Sequence, residues 1–275
     1  MIVVVALLGL VAGGFVTMLV DRIPDATPLT LHSRCPHCQH DLGWSEVVPV
    51  VSWVVQRGRC RRCDDRVTIA YPVVEVVTAG LLAVTVAVIG TGWVVVPTLV
   101  FVVAGVALAV IDLYVYRLPD RLLFPSLALS IVTVVVAGVA LDEPAAVGRA
   151  LVGMIGYSVV FFVLHLAWPR GLGFGDVKLA LLMGLHLGWV AGVLEPGWRP
   201  VVQLVLYAIL LGNIVGVVGG LLVAILRRRD RDVLVDPEAE DGQPERLTAN
   251  TFPFGPALLA GAFVVILAAE SLLTS

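Results

Sequence analysis

The stretch Gly171-Leu-Gly-Phe-Gly-Asp-Val-Lys-Leu179 places an acidic Asp176 and the only lysine of the chain, Lys178, at the threshold of a long apolar run. A carboxylate at a membrane boundary is costly to bury, which makes it a functional candidate in need of a partner. Gly171, Gly173 and Gly175 alternate just before it. Glycine permits close backbone approach, so this loop offers room for an extended substrate backbone beside the carboxylate. A phosphate cradle is the competing reading, but the loop lacks the Gly-Lys-Ser/Thr ending of a P-loop.

The apolar run belongs to a chain of 275 residues that is 59% hydrophobic and 14% charged. Its apolar residues form blocks long enough to cross a bilayer, without amphipathic alternation. About eight such segments are expected, near 1–20, 71–90, 93–111, 122–141, 147–168, 177–194, 201–226 and 255–273. The fold class is therefore an all-α polytopic membrane protein. The first block has no basic n-region and no small-residue cleavage site, so it reads as an uncleaved helix. With the N-terminus outside, 16 of the 18 basic residues fall on the cytoplasmic side and only Arg149 and Arg199 fall outside, as the positive-inside rule requires. Both Asp112 and Asp176 then face the cytoplasm.

Residues 21–70 form the one sizeable hydrophilic insert before the membrane core, which is expected over 71–275 with a flexible cytoplasmic loop at 227–251. The insert carries all four cysteines, as Cys35-Pro-His-Cys38 and Cys60-Arg-Arg-Cys63, separated by 21 residues. Two such knuckles can aim four thiolates at one tetrahedral ion, which suits structural zinc. Two disulfides are the alternative, disfavoured in a reducing cytosol. His37 and His40 read as bystanders, and metal binding is expected to supply most of the folding free energy of so small a unit. The basic run from Arg57 to Arg66 reads as a solvated face, with contact to anionic headgroups or substrate as the competitor.

Asp112 closes the third span and lies 64 residues before Asp176 at the same expected depth. It marks a water interface or forms an acid/base pair with Asp176. Glu75, about one turn into the second span, either snorkels, pairs with an arginine or lines the site. His165 and His186 inside spans read as neutral imidazoles bonded to backbone carbonyls. Gly9 and Gly13, and Gly212, Gly216 and Gly220, form small-residue faces for close helix packing. Phe252-Pro-Phe-Gly-Pro256 reads as a rigid entry fixing where the last helix meets the site.

Taken in order, these residues resemble the type IV prepilin peptidase family, membrane aspartic proteases of the GxGD kind. The likeness rests on Gly14-Phe15 with Arg22-Ile-Pro24, both Cys-x-x-Cys pairs, Pro49-Val-Val-Ser52, Gly58-Arg-Cys60, Tyr71-Pro-Val-Val-Glu75, Ile111-Asp112 with Leu118-Pro-Asp120, Gly173-Phe-Gly-Asp-Val-Lys-Leu179 and Pro253-Phe-Gly-Pro256. One departure is Thr17, where the family pattern has Asn. The resemblance implies catalytic aspartates at Asp112 and Asp176, with Gly173, Gly175, Lys178 and Glu75 supporting substrate and site. It implies S-adenosylmethionine as methyl donor for N-methylation of the new N-terminus, an activity associated with the loop that holds Cys35, Cys38, Cys60 and Cys63, the zinc ligands expected from their spacing. Prepilins or pseudopilins and membrane lipid are the expected partners, with no nucleic acid, in the bacterial cytoplasmic membrane. The alternative is a non-enzymatic or proton-coupled transporter or scaffold with a zinc docking loop. Asp120 is expected to tolerate Asn better than Asp112 or Asp176.

Overall fold

A computed structural model describes residues 2–24, 33–35, 37–169, 172–229 and 253–274, apart from the side chains of 224 and 226–229. Among the described residues, seven helices are long and apolar enough to cross a membrane: α1 (Ile2–Arg22), α3 (Ala70–Ile89), α4 (Val95–Val115), α5 (Asp120–Ala140), α6 (Pro144–Ala167), α7 (Phe174–Leu194) and α8 (Arg199–Arg229). A short helix, α2 (Val51–Val55), lies in the insert. The eighth apolar block appears as α9 (Gly255–Leu267) and α10 (Ala269–Thr274), hinged at Ala268.

Two boundaries move. Asp112 is not the last residue of its helix, because α4 runs on to Val115 before Tyr116 turns left-handed at φ 54° and caps it through the Asp112 carbonyl. Residues 227–229, expected in the cytoplasmic loop, belong instead to α8, which continues through Arg229; residues 230–252, where the rest of that loop is expected, lie outside the described residues, as do Arg170 and Gly171.

Small residues decide which helices touch. A Cβ at Gly13 of α1 would stand 2.5 Å from the Cα of Glu75 on α3, and one at Gly9 would stand 2.6 Å from the Cα of Ala79. The α1–α3 pair therefore packs backbone to backbone, as its glycine spacing predicts. Gly153 of α6 meets Gly184 of α7 in the same way, with 2.6 Å between an added Cβ and the Gly184 carbonyl. The Arg149 guanidinium donates to the Gly192 carbonyl at 2.8 Å near the C-terminal end of α7, where a cation meets unpaired carbonyls and the negative end of the helix dipole. Gly212 and Gly216 of α8 lie against Leu258 and Phe254 at the entry to α9.

The result is a bundle whose most enclosed members are α7 and α4, with 78% and 67% of their apolar windows buried. These are the helices that carry Asp176 and Asp112, so both carboxylates belong to the centre of the bundle rather than to its lipid-facing rim.

Candidate active site

Asp112 lies in the last turn of α4 and is 5% exposed. The C-terminal end of a helix is the wrong place for an anion, and a second helix compensates. The backbone N–H of Gly255, first residue of α9, donates to Asp112 Oδ2 at 3.1 Å. Pro253 and Pro256 bracket this residue, so the rigid entry expected from the sequence delivers an N–H to the carboxylate. A Cβ at Gly255 would lie 2.7 Å from Asp112 Oδ2; no other residue allows this approach without displacement.

Asp176 occupies the first turn of α7, is 9% exposed, and accepts a hydrogen bond from the Gly173 N–H at 3.2 Å. Each carboxylate thus meets the positive end of a helix, α9 for Asp112 and α7 for Asp176. Unpaired N–H groups there favour a negative charge. Leu118 lies between Gly175 and Gly255, neighbours of the two carboxylates, its side chain 3.4 Å from a Cβ placed on Gly175 and 3.7 Å from one placed on Gly255. The loop after α4, the start of α7 and the start of α9 thus converge on one spot.

The remaining expected site residues divide. Gly173 and Gly175 are at this spot. Lys178 is turned to α5, where its Nζ takes both oxygens of Asp120 at 2.7 and 2.8 Å and lies 5.3 Å from the Phe174 ring centre. Asp120 is therefore half of an interhelical ion pair. Among the described residues Glu75 neither snorkels nor meets an arginine: it is 8% exposed and its Oε2 accepts the Val50 N–H at 2.7 Å. That bond ties the insert to α3. His165 Nδ1 lies 2.7 Å from the Leu172 carbonyl, holding the loop before α7, and His186 places its ring nitrogens 2.8 and 3.1 Å from the carbonyls of Leu182 and Pro97.

Outside the bundle the two cysteine knuckles share one hydrogen-bond pattern. In each, the first cysteine N–H donates to the carbonyl five residues on, and its carbonyl accepts from the N–H four residues on: Cys35 with His40 and Gln39, Cys60 with Asp65 and Asp64. Gln39 and Asp64 both adopt left-handed backbone, at φ 55° and 59°. The repeated fold brings Cys35, Cys38, Cys60 and Cys63 within 4.8 Å of one another, with Sγ separations of 3.8 Å for Cys35–Cys63 and 4.0 Å for Cys38–Cys60. Zn–S bonds of ~2.3 Å in a tetrahedron require edges of about 3.8 Å, so the group could hold zinc. All four are free thiols, not disulfides. The N–H groups of Cys63 and Arg62 lower the Cys60 thiol to about 7. At Cys63 the Asp65 N–H acts in the same direction, but burial and the neighbouring sulfurs prevail and push it up to about 12. His37 and His40 face Asp65 and Glu46 at 3.7 and 4.0 Å, outside the sulfur cluster.

A multi-pass helical membrane protein with two centrally buried carboxylates and a four-sulfur insert is the class that fold and site define. Residues 7–89 match the Bacterial Peptidase A24 N-terminal domain and residues 99–217 match the Type IV leader peptidase family. The chain is 32% identical to a prepilin leader peptidase/N-methyltransferase of Myxococcus xanthus, over 88% of this chain and 69% of that protein. It is 29% identical to proteins of the same name from Aeromonas hydrophila and Stutzerimonas stutzeri, over 98% of this chain and 91% of each relative. No solved structure matches. The chain belongs to the prepilin leader peptidase/N-methyltransferase family.

Proposed function

We propose that this protein is a membrane aspartic endopeptidase that removes the basic leader from type IV prepilins and pilin-like secretion subunits, then methylates the new N-terminus. The observation that carries this reading is the placement of Asp112 and Asp176 on the two most enclosed helices, at the spot where the loop after α4, the start of α7 and the start of α9 converge. Two carboxylates in one confined site hold one proton between them most cheaply. The ionised member takes a proton from water as the water oxygen adds to the scissile carbonyl. The protonated member donates to the carbonyl oxygen as it gains charge. Collapse then breaks the C–N bond, and the proton taken from water passes to the leaving amine. The N–H groups of Gly255 and Gly173 position the two carboxylates throughout.

S-adenosylmethionine is the methyl donor in this reading; when bound it supplies an electrophilic methyl to the freed α-amine. Cys35, Cys38, Cys60 and Cys63 hold structural zinc, with no open position for chemistry. The N-terminus lies outside and the site faces the cytoplasm of the bacterial inner membrane, consistent with the basic-residue bias. Lys178 acts on the site only through its grip on Asp120, and Glu75 acts through the insert. The experiment is cleavage of a full-length prepilin in detergent or nanodiscs by the wild type, Asp112→Asn and Asp176→Asn, with zinc content as the folding control; cleavage surviving in either variant removes the dyad.

A further inference from the structure

The insert carries an apolar surface that the proposed chemistry does not use. On α2, Val51, Val54 and Val55 are 57, 59 and 65% exposed, and Trp44 just before it is 84% exposed. In water such a cluster is a liability. Its depth, however, is fixed by two contacts to the membrane helices. Val50, immediately before α2, donates its N–H to the buried Glu75, and Pro49 packs 3.5 Å from a Cβ placed on Gly14 of α1.

Glu75 is five residues inside the start of α3 at Ala70, which at ~1.5 Å per residue is roughly 7.5 Å along the axis. The 20 residues of α3 span about 30 Å, one hydrocarbon thickness. The start of α2 is therefore held at the depth where interfacial helices lie, roughly 5–10 Å into the boundary between headgroups and acyl chains. Val50 adopts φ 61° and ψ −49° there, a conformation a β-branched residue takes only when its surroundings impose it.

Beside α2, Arg57, Arg59 and Arg66 line a cavity of about 450 Å³ together with Trp53, Gly58 and Thr68. Gly58 at φ 66° makes the turn that carries Arg57 and Arg59 to its rim. Arg59 is paired with Asp64 at 2.6 Å. Arg57 and Arg66 have no ion pair or side-chain hydrogen bond among the described residues, and both are exposed. Ile69, 63% exposed, closes the side nearest α3. A guanidinium pair above an apolar wedge matches a phosphodiester headgroup with its acyl chains below.

We propose that the insert is seated on the bilayer by an anionic phospholipid, with Val51, Val54 and Val55 in the interface and the lipid phosphate between Arg57 and Arg66. The lipid then fixes the height of the four-sulfur module over the site.

The test uses the full chain in nanodiscs of phosphatidylcholine with or without phosphatidylglycerol, read by hydrogen exchange of the segment 47–57. The wild type exchanges more slowly with phosphatidylglycerol present, by about fivefold for each guanidinium engaged, equivalent to ~1 kcal/mol per basic residue at an anionic surface. Arg57→Gln/Arg66→Gln returns to the phosphatidylcholine rate, and Val54→Asp exchanges fast in both bilayers, while the first cysteine knuckle, residues 37–42, stays unchanged in all as the folding control. Wild-type exchange that ignores phosphatidylglycerol overturns the proposal without reference to any variant. Equal protection by soluble glycerol phosphate in phosphatidylcholine discs assigns the cavity to a free anion and also overturns it.

Discussion

Gly255→Ala is the most incisive single change. The added Cβ would stand 2.7 Å from Asp112 Oδ2 and 3.4 Å from its Cγ, whereas non-bonded contacts are comfortable at roughly 3.5–4.0 Å. The carboxylate must retreat by about half an ångström or more, and the Gly255 N–H bond at 3.1 Å must lengthen or bend. Since a misplacement of ~1 Å at a reacting group costs about a hundredfold, cleavage should fall by about tenfold to a hundredfold. Stability should fall by no more than about 1–3 kcal/mol, the range for crowding, so the cleavage loss is read against melting and zinc content of the same preparation. The assay is prepilin cleavage with melting of the same preparation measured alongside. Gly175→Ala is the graded companion: its Cβ would meet the Leu118 side chain at 3.4 Å, which can yield, so its loss should be smaller. Wild-type cleavage by Gly255→Ala would refute the idea that the α9 entry sets the reactive position of Asp112.

Gly13→Ala drives a Cβ into the Glu75 backbone at 2.5 Å, and backbone cannot step aside, so folded yield and melting temperature should drop by the equivalent of about 1–3 kcal/mol. A double-mutant cycle on Lys178→Met and Asp120→Asn should return a coupling under ~1 kcal/mol, since the carboxylate end is half exposed, with cleavage retained; a collapse of cleavage would place Lys178 in the chemistry. For the four-sulfur site, the Cys60 thiol titrates near 7 and zinc binds the thiolate. Reloading of chelator-stripped protein should therefore weaken as pH falls through that value and strengthen above it, as measured by a zinc indicator. Metal analysis of protein purified without chelator should find about one zinc per chain.

What the sequence made legible was periodicity and spacing. The apolar blocks, the small-residue faces and the paired knuckles each reflect a local requirement, and each appears where that requirement places it. The segment Phe252–Pro256 was legible as a rigid entry because proline restricts the chain whatever surrounds it. Partner choice was not legible in the same way. Glu75 could have faced lipid, an arginine or the site, and nothing local distinguishes these from a backbone N–H 25 residues away. Lys178 and Asp120 are 58 residues apart and meet only because α5 packs against α7. The role of Gly255 was missed beyond its position in the motif, because its small size serves Asp112, 143 residues earlier. The Leu118-Pro-Asp120 run was the available signal for Leu118, since a proline just past a helix marks a turn that has to pass near the helix end.

The central claim is that Asp112 and Asp176 form one catalytic pair. Its most direct test is the rate of leader cleavage by Asp112→Asn and Asp176→Asn separately and together. The pair predicts that each single change abolishes cleavage, that the double change costs no more than either alone, and that zinc content is unaltered. Independent, additive losses, or cleavage persisting in either single variant, would contradict it.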